Sequence, residues 1–297
     1  MSTDSAVQTG RPAVTAAPAP VRHWLRLLRS ELRIVFVRPR NLAMLGVLAV
    51  APVFLGFALW VNTPQPGAGG GNSGAAALIG QVAENGVFLA LLAIFVLMTL
   101  ILPLAIAVVS GDALAGEAGL GTLRTLLTVP AGRVRLLATK YVVIVIFSLV
   151  ASALVAIVGL IMGALLFPIG PVTLLSGASV PLIDGLARLA MIVIYVAAAL
   201  AALGAIGIAL STFTQHALAV MATMLVVVVV SQILDAVAQV AVIHPYLPTH
   251  FWLAFDALLR TPIDWTQIWH GLASFAVYAV IFGAVAVARI RRANISS

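Results

Sequence analysis

Few residues in this chain have side chains that do chemistry, and their placement says which kind it would be. Six of the charged ones fall in a single polar island, 110-SGDALAGEAGLGTLRTLLTVPAGRVRLLATK-140: Asp112, Glu117, Arg124, Arg133, Arg135 and Lys140. Within it Leu114, Leu120, Leu123, Leu126 and Leu127 make an apolar stripe, with Thr122, Arg124 and Thr125 beside it. Pro130 stops the helical pattern. Glu117 and Arg124 stand two turns apart on one face, so each addresses a partner and not the other. That is docking chemistry, a stiff element with a sticky face and charges to fix its register. Catalysis has less to stand on. Gly-Asn-Ser-Gly at 71–74 lies in a Gly-rich linker, and the His244–His250 spacing is loose for a metal site. ATP binding would need a Gly-Lys-Ser/Thr loop, but the single lysine, Lys140, sits between Thr139 and Tyr141. No cofactor or metal is expected on this chain. Asp235, close to membrane depth, is a functional candidate, and Asp184 with Arg188 is expected to form a local ion pair.

The elements that must position these residues are membrane helices. The composition is 63% hydrophobic and only 8% charged, which excludes an ordinary soluble domain. Six runs free of Lys, Arg, Asp and Glu are long enough to span: 41–60, 86–110, 141–167, 189–210, 217–234 and 271–288. Helices are required, because lipid offers backbone groups no partners. With the amino terminus inside, fourteen basic residues face the cytoplasm and only Arg188 and Arg260 face out. The expected protein is thus an all-α, multi-pass protein of the cytoplasmic membrane with both termini inside. Its net charge of +7 is a topology signature and not a nucleic-acid surface.

Residues 1–20 read as a disordered cytoplasmic tail. Residues 21–40 read as an amphipathic interfacial helix, with Arg22, Arg26, Arg29 and Arg33 on one face and Leu25, Leu28, Leu32 and Val35 on another. The remainder, 41–293, has a cytoplasmic loop at 111–140. Its outer loop at 235–270 is re-entrant or interfacial, and Thr249 there could cap a short helix over 250–259. Residues 61–80 hold the flexible linker.

The island resembles the cytoplasmic loop of ABC exporter permeases of the type-2 class. The shared pattern is an acidic residue (Glu117), Gly121-Thr122-Leu123, Leu126-Leu127, Pro130, Arg133 and Lys140 opening the next helix. The interfacial helix, six spans and basic tail 289–292 fit the same class. Ala118-Gly119-Leu120 is less charged than the class pattern at that place. The resemblance implies a permease subunit that couples to a separate ATPase through 111–140, with Asp112 and Arg124 among the contacts. Two ATP-binding subunits, which would hold the ATP and Mg, and a second permease copy or paralogue complete the complex.

Phe88, Phe95, Met98, Met221, Met224, Ser231 and Gln232 either line a path between two permease copies or serve ordinary helix packing. A path so lined suits amphipathic or hydrophobic cargo, such as a drug, peptide or lipid-like molecule. No span holds a charge, which disfavours an ion-coupled carrier. The alternatives are a non-transporting anchor or sensor associated with an ATPase and, last, an intramembrane enzyme. Gly159-x3-Gly163 and Gly204-x2-Gly207 permit close helix approach.

Overall fold

Long apolar runs must satisfy their backbone groups internally, and the protein does so as helix, at 85% of the residues described. The computed structural model describes residues 20–62, 74–116, 133–174 and 177–292, with backbone alone at 20–23, 74–77 and 133. In chain order the helices are α1 (Pro20–Val37), α2 (Pro39–Asn62), α3 (Gly74–Glu84), α4 (Val87–Thr99), α5 (Ile101–Gly111), α6 (Arg133–Leu166), α7 (Leu182–Ser211), α8 (Ala217–Asp235) and α9 (Trp265–Arg292). A π-turn at Asp112–Gly116 extends α5, and a two-residue antiparallel ribbon pairs Val172–Thr173 with Ser179–Val180. Among the described residues, α2, α6, α7, α8 and α9 are long and apolar enough to cross a membrane, so the chain is a membrane protein.

The second expected span is not one straight helix. It breaks into α4 and α5, which meet at an angle of 54°. Pro103 explains the break: it has no N–H for the carbonyl of Thr99, four residues earlier, and its ring crowds that carbonyl. Leu100 absorbs the bend at φ −145°, ψ −45°. The other spans keep their expected places but run longer. α6 starts at Arg133 and not 141, α7 at Leu182 and not 189, and α9 at Trp265 and not 271. The loop expected at 111–140 is therefore shorter, since 133–140 already belongs to α6. Residues 74–80, read as linker, are helical.

α7 is the central helix, packed against α5, α6 and α9, while α2 and α9 keep most of their surface outward. Small residues set the closest crossings. A Cβ on Gly163 would stand 2.0 Å from the carbonyl oxygen of Gly86, and one on Gly159 would stand 2.7 Å from Cα of Ala90. Both lock α4 onto α6. Gly207 meets Oγ of Ser110 in the same way, locking α5 onto α7. Gly163→Val is therefore expected to cost about 3 kcal/mol, since backbone cannot yield as a side chain would. Gly46, with nothing within 4 Å of a Cβ, is expected to gain up to about 1 kcal/mol as Ala. Thermal unfolding of both variants in nanodiscs checks the contrast.

Candidate functional site

Two polar clusters hold the residues that could act, one at each end of the bundle. At the first end, α1 lies against α2 and the start of α6. Its inward stripe is Trp24, Leu27, Leu28, Leu32, Val35 and Phe36, and Phe36 packs on Phe147 with ring centroids 5.7 Å apart. This corrects the expected face: Leu25 points outward and is 52% exposed, because the stripe follows steps of three and four that bypass it. Arg26, Arg29 and Arg33 are all exposed on the other side; the side chain of Arg22 is outside the described residues.

One charge of α1 turns inward. Glu31 accepts a hydrogen bond from Nζ of Lys140 at 3.1 Å, and both side chains are largely buried. Asp112 accepts from Nη1 of Arg38 at 3.0 Å and from Nη2 of Arg40 at 2.5 Å. Arg40 also donates to the carbonyl of Val108 at 3.2 Å, near the end of α5. The two residues that bracket the unplaced part of the polar island, Asp112 and Lys140, are thus both tied ionically to the first forty residues. A cavity of about 30 Å³ lies between the pairs, and the buried Asn41 lines it with Oδ1 unbonded. That space suits one water. Of the island's own residues, Glu117, Gly121, Thr122, Leu123, Arg124, Leu126, Leu127 and Pro130 lie outside the described residues, and Arg133 is described by its backbone, as the first residue of α6.

At the far end the loop after α8 folds back into the bundle. The hydroxyl of Tyr195 donates to the carbonyl of Phe251 at 2.7 Å, and Arg188 donates to the carbonyls of Leu258 and Arg260. Tyr195 lies thirteen residues into α7, or about 20 Å along its axis, so the loop reaches well inside. Trp252, Phe255, Leu258 and Leu259 are buried as a result. Two expectations fail here. Arg188 serves loop carbonyls and makes no ion pair with Asp184, and Thr249 caps no helix. Its hydroxyl lies 2.6 Å from that of Ser231, and the helical turn that follows is a short 3₁₀ segment, Ala254–Leu259.

Beside this loop a cavity of about 360 Å³ opens at the α4–α5 break. Met98, Trp252 and Leu253 give it apolar walls, and Thr99, Gln232 and Asp235 give it polar ones. Nε2 of Gln232 donates to the Thr99 carbonyl at 2.7 Å, replacing the donor that Pro103 lacks. Asp235, the last residue of α8, accepts from Nδ1 of His250 at 2.6 Å, and Nδ1 of His244 stands 3.9 Å away. Among the described residues no group of three or more His, Asp or Glu is arranged to hold a metal ion.

Of the residues expected along a path, Met98 and Gln232 line this cavity, and Ser231 braces its loop through Thr249. Phe95 is partly buried against the core. Phe88, Met221 and Met224 are buried within the chain and face its own helices, with Sδ of Met224 3.2 Å from Oγ of Ser110. Their size and apolarity fill the interior. Sequence reasoning missed Thr99, Thr249 and Trp252 as site residues; Pro103 was the signal that marked Thr99. Gln232→Leu is expected to cost about 1 kcal/mol, the net contribution of its exposed hydrogen bond to the Thr99 carbonyl. Adding Pro103→Ala, which restores an N–H, should return most of it; thermal unfolding of the two variants tests this.

A family model, described as a protein of unknown function (DUF2705), matches residues 77–296. No curated protein matches the chain.

Proposed function

We propose that this chain, which belongs to the DUF2705 family, is the membrane-spanning permease subunit of an ATP-driven ABC exporter. One observation carries the reading: the ionic clasp at the α1 end. Asp112 and Lys140 flank the segment whose Glu117, Gly121-Thr122-Leu123 and Leu126-Leu127 resemble a coupling loop. Both are bonded to the amino-terminal region, through Glu31, Arg38 and Arg40. A push on that segment by an ATPase would therefore reach α1, α2, α5 and α6 together. A loop that only joined two spans would need no such bracing.

In this reading the bent pair α4–α5 is one span, giving six in all, and α1 lies in the inner interface with Arg26, Arg29 and Arg33 toward anionic head groups. Both ends of the chain face the cytoplasm. Arg289 lies over the ring of Phe213, 5.3 Å from its centroid, so the basic end of α9 lies beside the α7–α8 turn, at the same face as α1. Two permease copies and two ATP-binding subunits make the complex, and amphipathic cargo suits walls that are mostly apolar.

Gentle extraction of the tagged chain from native membranes, with mass spectrometry of its stoichiometric partners, tests the proposal. A co-purifying ATP-binding subunit is the expected result. A chain that stays alone across mild detergents and nanodiscs would overturn it and favour a membrane anchor or sensor.

A further inference from the structure

We infer that the cavity at the α4–α5 break is a binding site for an amphipathic organic cation, with the carboxylate of Asp235 as its charge partner. As a ligand site this does not depend on the permease reading; calling the ligand cargo rests on that reading.

Asp235 ends α8, so its carboxylate adds to the negative end of the helix dipole. Among the described residues no Lys or Arg pairs with it; its partners are His250 at 2.6 Å and His244 at 3.9 Å. Only one carboxylate oxygen, Oδ1, is engaged in this way. The arginines described at this end are committed elsewhere. Arg188 donates to loop carbonyls, and Arg260 pairs with Asp256 at 3.2 Å.

Shape and lining narrow the class further. The volume of about 360 Å³ falls in the range of small-molecule pockets, about 300–1,000 Å³. An indole and a methionine beside a carboxylate suit an ammonium group that carries an apolar body. A hard metal ion is a poor fit, because it would require about six oxygen ligands and a single carboxylate stands here. Gln232, already used by the Thr99 carbonyl, fixes the geometry of the wall next to that charge.

The test uses the full chain in phosphatidylcholine nanodiscs and energy transfer from tryptophan to a dansyl probe. Dansylcadaverine supplies a primary ammonium; its N-acetyl derivative has the same body without the charge. The amine is expected to bind roughly tenfold or more tightly than the acetyl form, as a charge-assisted hydrogen bond predicts. Asp235→Asn should abolish that preference while still accepting from His250, and Asp264→Asn, at an exposed carboxylate of the same end, should leave it intact. Equal binding of the two probes, an unchanged preference in Asp235→Asn, or an equal loss in Asp264→Asn would overturn the site. Because the chain is studied alone, an ATP-binding partner can still be found if this fails, and amine selectivity can stand if no partner exists.

Discussion

Replacing Lys140 by Met is expected to destabilise the chain by about 3–5 kcal/mol, because it strands the carboxylate of Glu31 in a largely buried position. The side chains of the pair are 5% and 12% exposed, so solvent screens little of the loss. Replacing Glu31 by Met in the same chain should recover most of the stability, since an apolar pair of similar volume needs no desolvated charge. The neighbouring pairs rank differently. Arg38 and Arg40 are 37% and 45% exposed where they meet Asp112, and losing one arginine should cost under about 1 kcal/mol. Denaturation of the single and double variants in nanodiscs decides between these outcomes. A double variant as unstable as Lys140→Met alone would show that the salt bridge is not what the lysine supplies.

On the proposed permease reading, Leu123→Asp is expected to release the ATP-binding subunit without unfolding the spans. Leu123 lies in the apolar stripe of the island, and a carboxylate forced into an apolar contact without a partner costs several kcal/mol. At 1.4 kcal/mol per tenfold, that weakens the association by two orders of magnitude or more. Co-purification yield of the ATPase, read beside far-ultraviolet circular dichroism of the variant, is the measurement. Full retention of the complex would remove the island from its role as coupling element. Glu117 and Arg124, which would set register and not affinity, should affect coupled ATP turnover more than assembly.

The spans were legible because hydropathy over about twenty residues is a strong, local signal. Their ends were not. Arg133–Lys140 and Leu182–Arg188 begin their helices before the apolar run starts, since a helix needs no lipid to form. Pro103 lay in plain view inside the second run, but a hydropathy average passes over one proline, and so the break at Leu100 was missed. The glycine pairs were readable as spacing, and the crossings at Gly159, Gly163 and Gly207 use them. Ion pairs were less legible. The local rule joined Asp184 to Arg188, yet the arginine took loop carbonyls seventy residues away. Glu31 with Lys140, separated by 109 positions, follows no local rule at all. At the far cavity Met98 and Gln232 stood out as polarisable or polar residues within spans. Thr249 and His250 belong to a loop whose course no periodicity reveals.

The broken second span also bears on how the protein can be made. α4 rises about 20 Å and α5 about 16 Å, so neither crosses a hydrocarbon core of about 30 Å by itself, and if the bent pair is one span, as proposed, its two halves enter the membrane as one insertion unit. At their junction the Thr99 carbonyl accepts from Gln232, 133 residues later in synthesis. Until α8 emerges and docks, the nascent chain holds an open hydrogen-bond acceptor at membrane depth, which water or a helper protein must cover. Completion of the second span is therefore a late event, and a chain arrested before Ala217 would lack the means to finish it.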